Sequence, residues 1–154
     1  MKPKILFILH LPPPIHGAAM MGKYIQESEL VNSSFDCFCI NLATAGSLSD
    51  IGHISLKKLL KYFFLLKHIS NVVREIRPEL VYITPNAGRK AFFKDFIVVQ
   101  MLKSMGCKVI AHYHNKGVSV YQSKWVYNFF YKRFFSNLKV ILLAENLYKD
   151  IAKY

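Results

Sequence analysis

At 154 residues the chain has the size of one domain and can bury a hydrophobic core without disulfides or metals. Hydrophobic residues make up 53% of it and charged residues only 19%, which excludes a disordered chain, because that much apolar surface offsets the entropy of ordering. The formal net charge of +12 draws in anions, whether nucleic acid, phosphorylated metabolites or an acidic membrane surface, and does not choose among them.

Lys4 to His10 is a nearly continuous apolar run ended by Pro12, Pro13 and Pro14, which suits a strand buried on both faces of a parallel sheet. The same prolines end the run too early for a signal peptide. A helix is expected from about Gly17 to Leu30, then a second strand over Phe35 to Leu42. Ala43 to Ile54, rich in Gly and Ser, reads as a loop, and Ser55 as the N-cap of a helix. That helix runs from Leu56 to Ile76, where Pro78 stops it. Leu80 to Thr84 is the third strand. Asn86 is placed to cap a helix from about Arg89 to Met105, and Gly106 suits the left-handed position that ends many helices. Cys107 to His112 is the fourth strand, Ser123 to Asn137 a strongly aromatic helix, Lys139 to Ala144 the fifth strand, and Asn146 opens a last helix.

Cys37, Cys39 and Cys107 are odd in number and form no CxxC, so they read as reduced core residues of a cytosolic protein. No segment approaches the roughly 18 apolar residues of a membrane span. Strands alternating with helices imply right-handed crossovers and an open, doubly wound parallel α/β sheet of Rossmann-like kind, one domain over 1–154. Ligands of such sheets bind outside the carboxyl ends of the strands. The loops that matter are therefore Leu11 to Gly17, Thr84 to Gly88 and His112 to Val118.

The first of these, Leu11-Pro12-Pro13-Pro14-Ile15-His16-Gly17-Ala18-Ala19, is a stiff proline segment that delivers a glycine and two alanines to a helix start. Small residues there let a phosphate approach backbone N–H groups at the positive helix end, and close helix–sheet packing would ask for them equally. GxGxxG is absent, which leaves a dinucleotide site little support. In the loop after the fourth strand, His112-Tyr113-His114-Asn115-Lys116-Gly117 gathers polar and cationic groups where no core needs them. Alternation puts His112 and His114 on one side. A third metal ligand cannot be placed beside them, so a hydrogen-bonding site for a sugar or phosphate fits better than a metal, and a satisfied structural role remains open for each histidine. Asn86, Asn115 and Lys116 join the candidates for substrate binding.

The proline-rich loop ending in His16-Gly17-Ala18-Ala19, the His112 to Gly117 stretch, and Leu142-Leu143-Ala144-Glu145-Asn146-Leu147 after the fifth strand together resemble the N-terminal domain of family 4 glycosyltransferases. The likeness is one of motif order and covers nearly the whole chain. It implies the N-terminal half of a two-domain GT-B enzyme, retaining and metal-independent, with no cofactor and a sugar nucleotide as donor substrate. The acceptor, a glycan or a lipid-linked acceptor such as a growing surface polysaccharide, would lie on this domain, and the donor mostly on a C-terminal donor-binding domain with paired glutamates. Carried over residue by residue, Gly17 with its neighbours His16 and Ala18 lies near the donor diphosphate. His114 lies beside the transferred sugar, with His112 second. No Asp-x-Asp motif occurs, in agreement with the metal-independent class. The chain stops at Tyr154, before such a second domain, which implies either a truncated piece, inactive alone, or a non-catalytic, membrane-associated subunit of a split enzyme that recruits a catalytic partner.

On the helix from Leu56, Lys61 and His68 fall near Lys57, with Lys58 further round, while Leu59, Phe63 and Leu66 point to the other side as a core stripe. Leu65 and Phe64 fall inside or beside the basic arc. Lysines interleaved with large apolar residues suit an anionic membrane interface, so Lys57, Lys58, Lys61, Phe64 and Leu65 are the candidate membrane contacts. The aromatic helix, with Trp125, Tyr127, Phe129, Phe130, Tyr131, Phe134 and Phe135, carries more aromatics than one core stripe requires. Deep packing, contact with another domain and contact with membrane are its three readings. Aromatics with lysines also suit single-stranded nucleic acid, but no RNP-like, KH or helix-turn-helix pattern occurs, so nucleic acid is not the expected partner. The expected location is cytoplasmic, peripheral to the inner face of the cell membrane.

Overall fold

The computed structural model describes residues 2–42 and 56–154, the side chain of Lys57 excepted. The loop expected over residues 43–54 and the N-cap expected at Ser55 lie outside the described residues. In chain order the elements are β1 (Lys4–Leu9), α1 (Gly17–Glu27), α2 (Glu29–Ser34), β2 (Asp36–Asn41), α3 (Leu56–Ile76), β3 (Leu80–Ile83), α4 (Arg89–Ser104), β4 (Val109–Tyr113), α5 (Val118–Tyr121), α6 (Trp125–Phe135), β5 (Lys139–Leu142), a 3₁₀ turn (Glu145–Leu147) and α7 (Tyr148–Ile151). The strands form one parallel sheet in the order β2-β1-β3-β4-β5, the open α/β arrangement of Rossmann-like kind read from the sequence. Two compact units make up the chain, residues 1–82 and 83–154.

In the first unit β1 is buried continuously from Ile5 to Leu9, with Lys4 exposed at its start. Continuous rather than alternating burial is what a strand covered on both faces requires. Ile5, Phe7 and Leu9 pack against Ile25, Val31, Phe35, Leu80 and Tyr82. β2 pairs with β1 in register from Lys4 opposite Asp36 to Leu9 opposite Asn41. The single helix expected over residues 17–30 is two helices, α1 and α2. Ser28 divides them: its N–H donates to the Ile25 carbonyl, and its hydroxyl accepts from the Val31 N–H. A serine that bonds the backbone this way competes with helix continuation. The cysteines are free thiols, but not core residues as expected: β2 is an edge strand, Cys39 is exposed, and Cys37 and Cys107 are half-buried.

α1 lies close against the end of β1, and Gly22 makes this possible. A Cβ at Gly22 would collide with the backbone carbonyl oxygen of His10. Gly22→Ala should therefore destabilise the fold by about 1–3 kcal/mol despite the better helix propensity of Ala. Gly17→Ala, whose Cβ would meet nothing within 4 Å, should be neutral or slightly stabilising. Urea unfolding of the two variants checks the contrast, and equal midpoints would contradict it.

α3 buries Ile69, Val73 and Ile76 in its second half, but none of the described side chains from Leu56 to Leu66 is buried. The core stripe expected at Leu59 and Phe63 is not one: these residues are 55% and 62% exposed, while Leu66 is half-buried. Length explains the difference. A 21-residue helix is about 31 Å long, whereas a six-residue strand spans roughly 20 Å. α3 follows the carboxyl end of β2 and leads back to the amino end of β3, so its first turns are the part that overhangs the sheet.

In the second unit α4 and α6 are joined by aromatic side chains. The buried Phe92 ring lies 4.5 Å from Tyr131 and 5.6 Å from Phe134, Phe96 lies 4.9 Å from Phe130, and Phe93 lies 5.0 Å from Tyr127. Deep packing therefore accounts for most of the aromatics of α6, leaving Trp125 and Phe129 exposed. Lys103 fixes the end of α6, its Nζ donating to the carbonyls of Arg133, Phe134 and Ser136. Gly106 takes the expected left-handed conformation at φ 77° after α4. The Gly106 N–H donates to Lys103 and the Cys107 N–H to Leu102, a paired helix-ending motif. This motif consumes Cys107, which is why β4 starts at Val109 rather than at Cys107. Among the described residues no helix is long and apolar enough to cross a membrane.

Candidate functional site

The loop after β1 ends in His16, which is the N-cap of α1. Its Nδ1 accepts the Ala19 N–H at 3.3 Å, so in the neutral ring the proton sits on Nε2. The Met20 N–H already reaches the His16 carbonyl. Of the helix-start amides, this leaves those of Gly17 and Ala18, which have no intrahelical carbonyl to reach. Gly17 is exposed and Ala18 half-buried, whereas Ala19 is fully buried. Close packing thus explains Ala19 and Gly22, and it does not explain Gly17.

In the second unit the loops after β3 and β4 are tied to each other. The Ala87 N–H donates to Asn115 Oδ1 at 3.1 Å, and the Ala87 carbonyl accepts from the Tyr131 hydroxyl at 2.5 Å. Asn86 does not cap α4, as expected of it; Gly88 occupies that position without a side-chain bond. Its backbone N–H and Nδ2 instead donate to Asp95 Oδ2, at 2.8 and 2.7 Å. Asp95 is fully buried and its Oδ1 has no partner among the described residues. Burial therefore raises its carboxyl pKa, and Lys94 and the two Asn86 bonds reduce the rise without cancelling it.

His112 and His114 share one side of β4 and its continuation, their ring centroids 4.2 Å apart. His114 is half-buried, and its Nε2 is shielded from solvent with no hydrogen-bond partner among the described residues. Burial, with His112 beside it, holds the His114 imidazole down to about 4. It is therefore neutral at pH 7 and can offer a hydroxyl either an N–H or a lone pair. Asn115 and Lys116 are exposed next to it.

Behind this loop, Asp150 of α7 accepts three consecutive amides. Gly117 and Val118 donate to Oδ2 at 2.9 and 3.0 Å, Ser119 donates to Oδ1 at 3.0 Å, and the Ser119 hydroxyl donates to Oδ1 at 2.5 Å. The sequence pointed to neither carboxylate. Asp95 could have been noticed, because it falls on the same helical face as Phe92, Val99 and Leu102. Asp150 lies 31 residues or more from its donors, and no local pattern marks it. Among the described residues no three His, Cys, Asp or Glu side chains form a group that could hold a metal ion.

No protein family model, no curated protein and no solved structure matches this chain. Its class therefore rests on its own features: a Rossmann-like α/β sheet, with a shielded neutral histidine after β4 and a histidine-capped helix start after β1.

Proposed function

We propose that the chain is the N-terminal, acceptor-side part of a GT-B glycosyltransferase of family 4 type, moving a sugar from a sugar nucleotide to a glycan or lipid-linked acceptor. The observation that carries this reading is His114, a neutral imidazole with a shielded, unpartnered Nε2 just past the carboxyl end of β4. Leaving such a nitrogen unpaired costs about 1–3 kcal/mol, which a hydroxyl of a bound sugar would recover. Asn115, bonded to the Ala87 amide, keeps its Nδ2 for the same ligand. The amides of Gly17 and Ala18 suit a diphosphate.

In this reading a second α/β domain, with paired glutamates, completes the enzyme and holds most of the donor. One wall of a cleft cannot orient a donor against an acceptor. Residues 1–154 alone should therefore transfer no radiolabelled sugar from a panel of sugar nucleotides to membrane extracts, while the two-domain enzyme should, with retention at the anomeric carbon. Robust transfer by residues 1–154 alone, or none by the enzyme supplied with its donor domain, would overturn the reading.

A further inference from the structure

Leu56, Leu59, Leu60, Phe63 and Phe64 are each more than half exposed, on three consecutive turns at the start of α3. At about 100° per residue they occupy one arc about 140° wide. The opposite arc carries Leu65 and Tyr62, half-buried, followed by the buried Ile69, Val73 and Ile76. Single exposed apolar residues are ordinary, but a contiguous group of this kind marks an interaction surface. Its charge setting says what it meets. No acidic residue occurs from Leu56 to Arg74, while Lys57, Lys58, Lys61, Lys67 and Arg74 fall in that stretch. Lys61 is exposed beside the apolar arc, and Lys67 is exposed on the same arc one turn further along.

We propose that the first three turns of α3 dock on an anionic lipid bilayer, with Leu56, Leu60, Phe63 and Phe64 entering the interface and Lys61 and Lys67 meeting headgroup phosphates. Apolar side chains bordered by lysines without acids are the composition that an anionic interface selects. The overhang beyond the sheet leaves this face clear of the strands. This face shares Phe64 and Lys61 with the one expected from the sequence, but Leu65 is half-buried, and the exposed Leu60 and Phe63 take its place. This inference does not depend on sugar transfer.

The test is co-sedimentation of the 154-residue chain with phosphatidylglycerol-rich vesicles and with phosphatidylcholine vesicles. Wild type should partition onto the anionic vesicles at least ~10-fold better than onto neutral ones, and less well at high salt. Leu60→Glu with Phe63→Glu, and separately Lys61→Glu with Lys67→Glu, should each reduce that partitioning at least ~10-fold. Both pairs should leave the thermal midpoint unchanged, because these side chains face solvent. Wild type that ignores anionic vesicles overturns the proposal, as do variants that bind them equally. A concentration-dependent dimer that Leu60→Glu with Phe63→Glu dissolves, without vesicle binding, also overturns it and makes a second copy the occupant.

Discussion

Asp150→Ala should lower the free energy of unfolding by about 3–5 kcal/mol, enough to leave a marginal domain largely unfolded at 37 °C. The carboxylate accepts the amides of Gly117, Val118 and Ser119 and the Ser119 hydroxyl, and Gly117 and Val118 are buried. Removing it strands donors that water cannot reach, and each stranded donor costs on the order of 1–3 kcal/mol. It also releases α7 from the loop that begins at His114. Asp150→Asn should fall between wild type and Ala, since one oxygen survives while the new amide group faces donors. Urea unfolding measures both, and a loss below about 1 kcal/mol for Ala would show that the loop finds other partners.

The pH dependence of this anchor has a definite sign. Burial alone would raise the Asp150 carboxyl, but the Ser119 hydroxyl and the amides of Gly117, Ser119 and Val118 outweigh it and hold the pKa below the usual carboxylate value. A depressed pKa contributes stability that is complete above the unfolded value, near about 3.9, and is lost as pH falls through the lower folded value. Asp95 works the other way. Its two donors share one oxygen and its other oxygen has none, so burial prevails and its pKa is raised. Its cost to the fold is absent in acid and grows as pH climbs from the unfolded value to the folded one. Two buried carboxylates of one unit thus differ in sign because they differ in the number and placement of donors. The acid limb of wild-type stability below about pH 4 should be missing from Asp150→Ala.

Elements that rest on local signals were legible in the sequence, and those that rest on distant partners were not. The β1 run closed by prolines, the arrest of α3 before Pro78 and the glycine after α4 each need only neighbours in the chain. The break at Ser28 depends on a serine choosing its own backbone over the helix, a choice that propensity leaves balanced. α5 was not anticipated, because four residues hold no periodic pattern and the helix is fixed by Asp150 from 31 or more residues away. The exposed face of α3 differs from the expected one for another reason. Helical periodicity gives the angle of a stripe, but how far a helix outruns its sheet is set by strand lengths elsewhere. At the candidate site, alternation placed His112 and His114 together, as their 4.2 Å separation agrees. It could not tell that Asn86 would turn inward to Asp95, because a capping position and a buried carboxylate compete for the same side chain.

On the proposed glycosyltransferase reading, His114→Ala should reduce turnover of the two-domain enzyme by about 10²-fold or more while the fold persists, because the imidazole would support charge or position in the transition state. His112→Ala should cost less than about tenfold, since that ring sits within β4 beside His114 rather than past the strand end. Stability separates the catalytic role from a structural one: the Nε2 of His114 bonds nothing among the described residues, so no hydrogen bond is lost there on truncation. The urea midpoint should therefore move little. The pH profile gives a second, independent reading. Burial, with His112 adjacent, holds the His114 pKa at about 4, so the ring is neutral throughout the physiological range and the rate should show no acid limb from this group near the usual histidine value of about 6.5. The limb belongs near pH 4, where the ring takes up a proton and loses its lone pair. An acid limb near 6.5 that disappears in His114→Ala would mean that the histidine works in its charged form. A rate unchanged by His114→Ala, in a variant of normal stability, would remove His114 from the chemistry and leave the shielded nitrogen without a substrate to explain it.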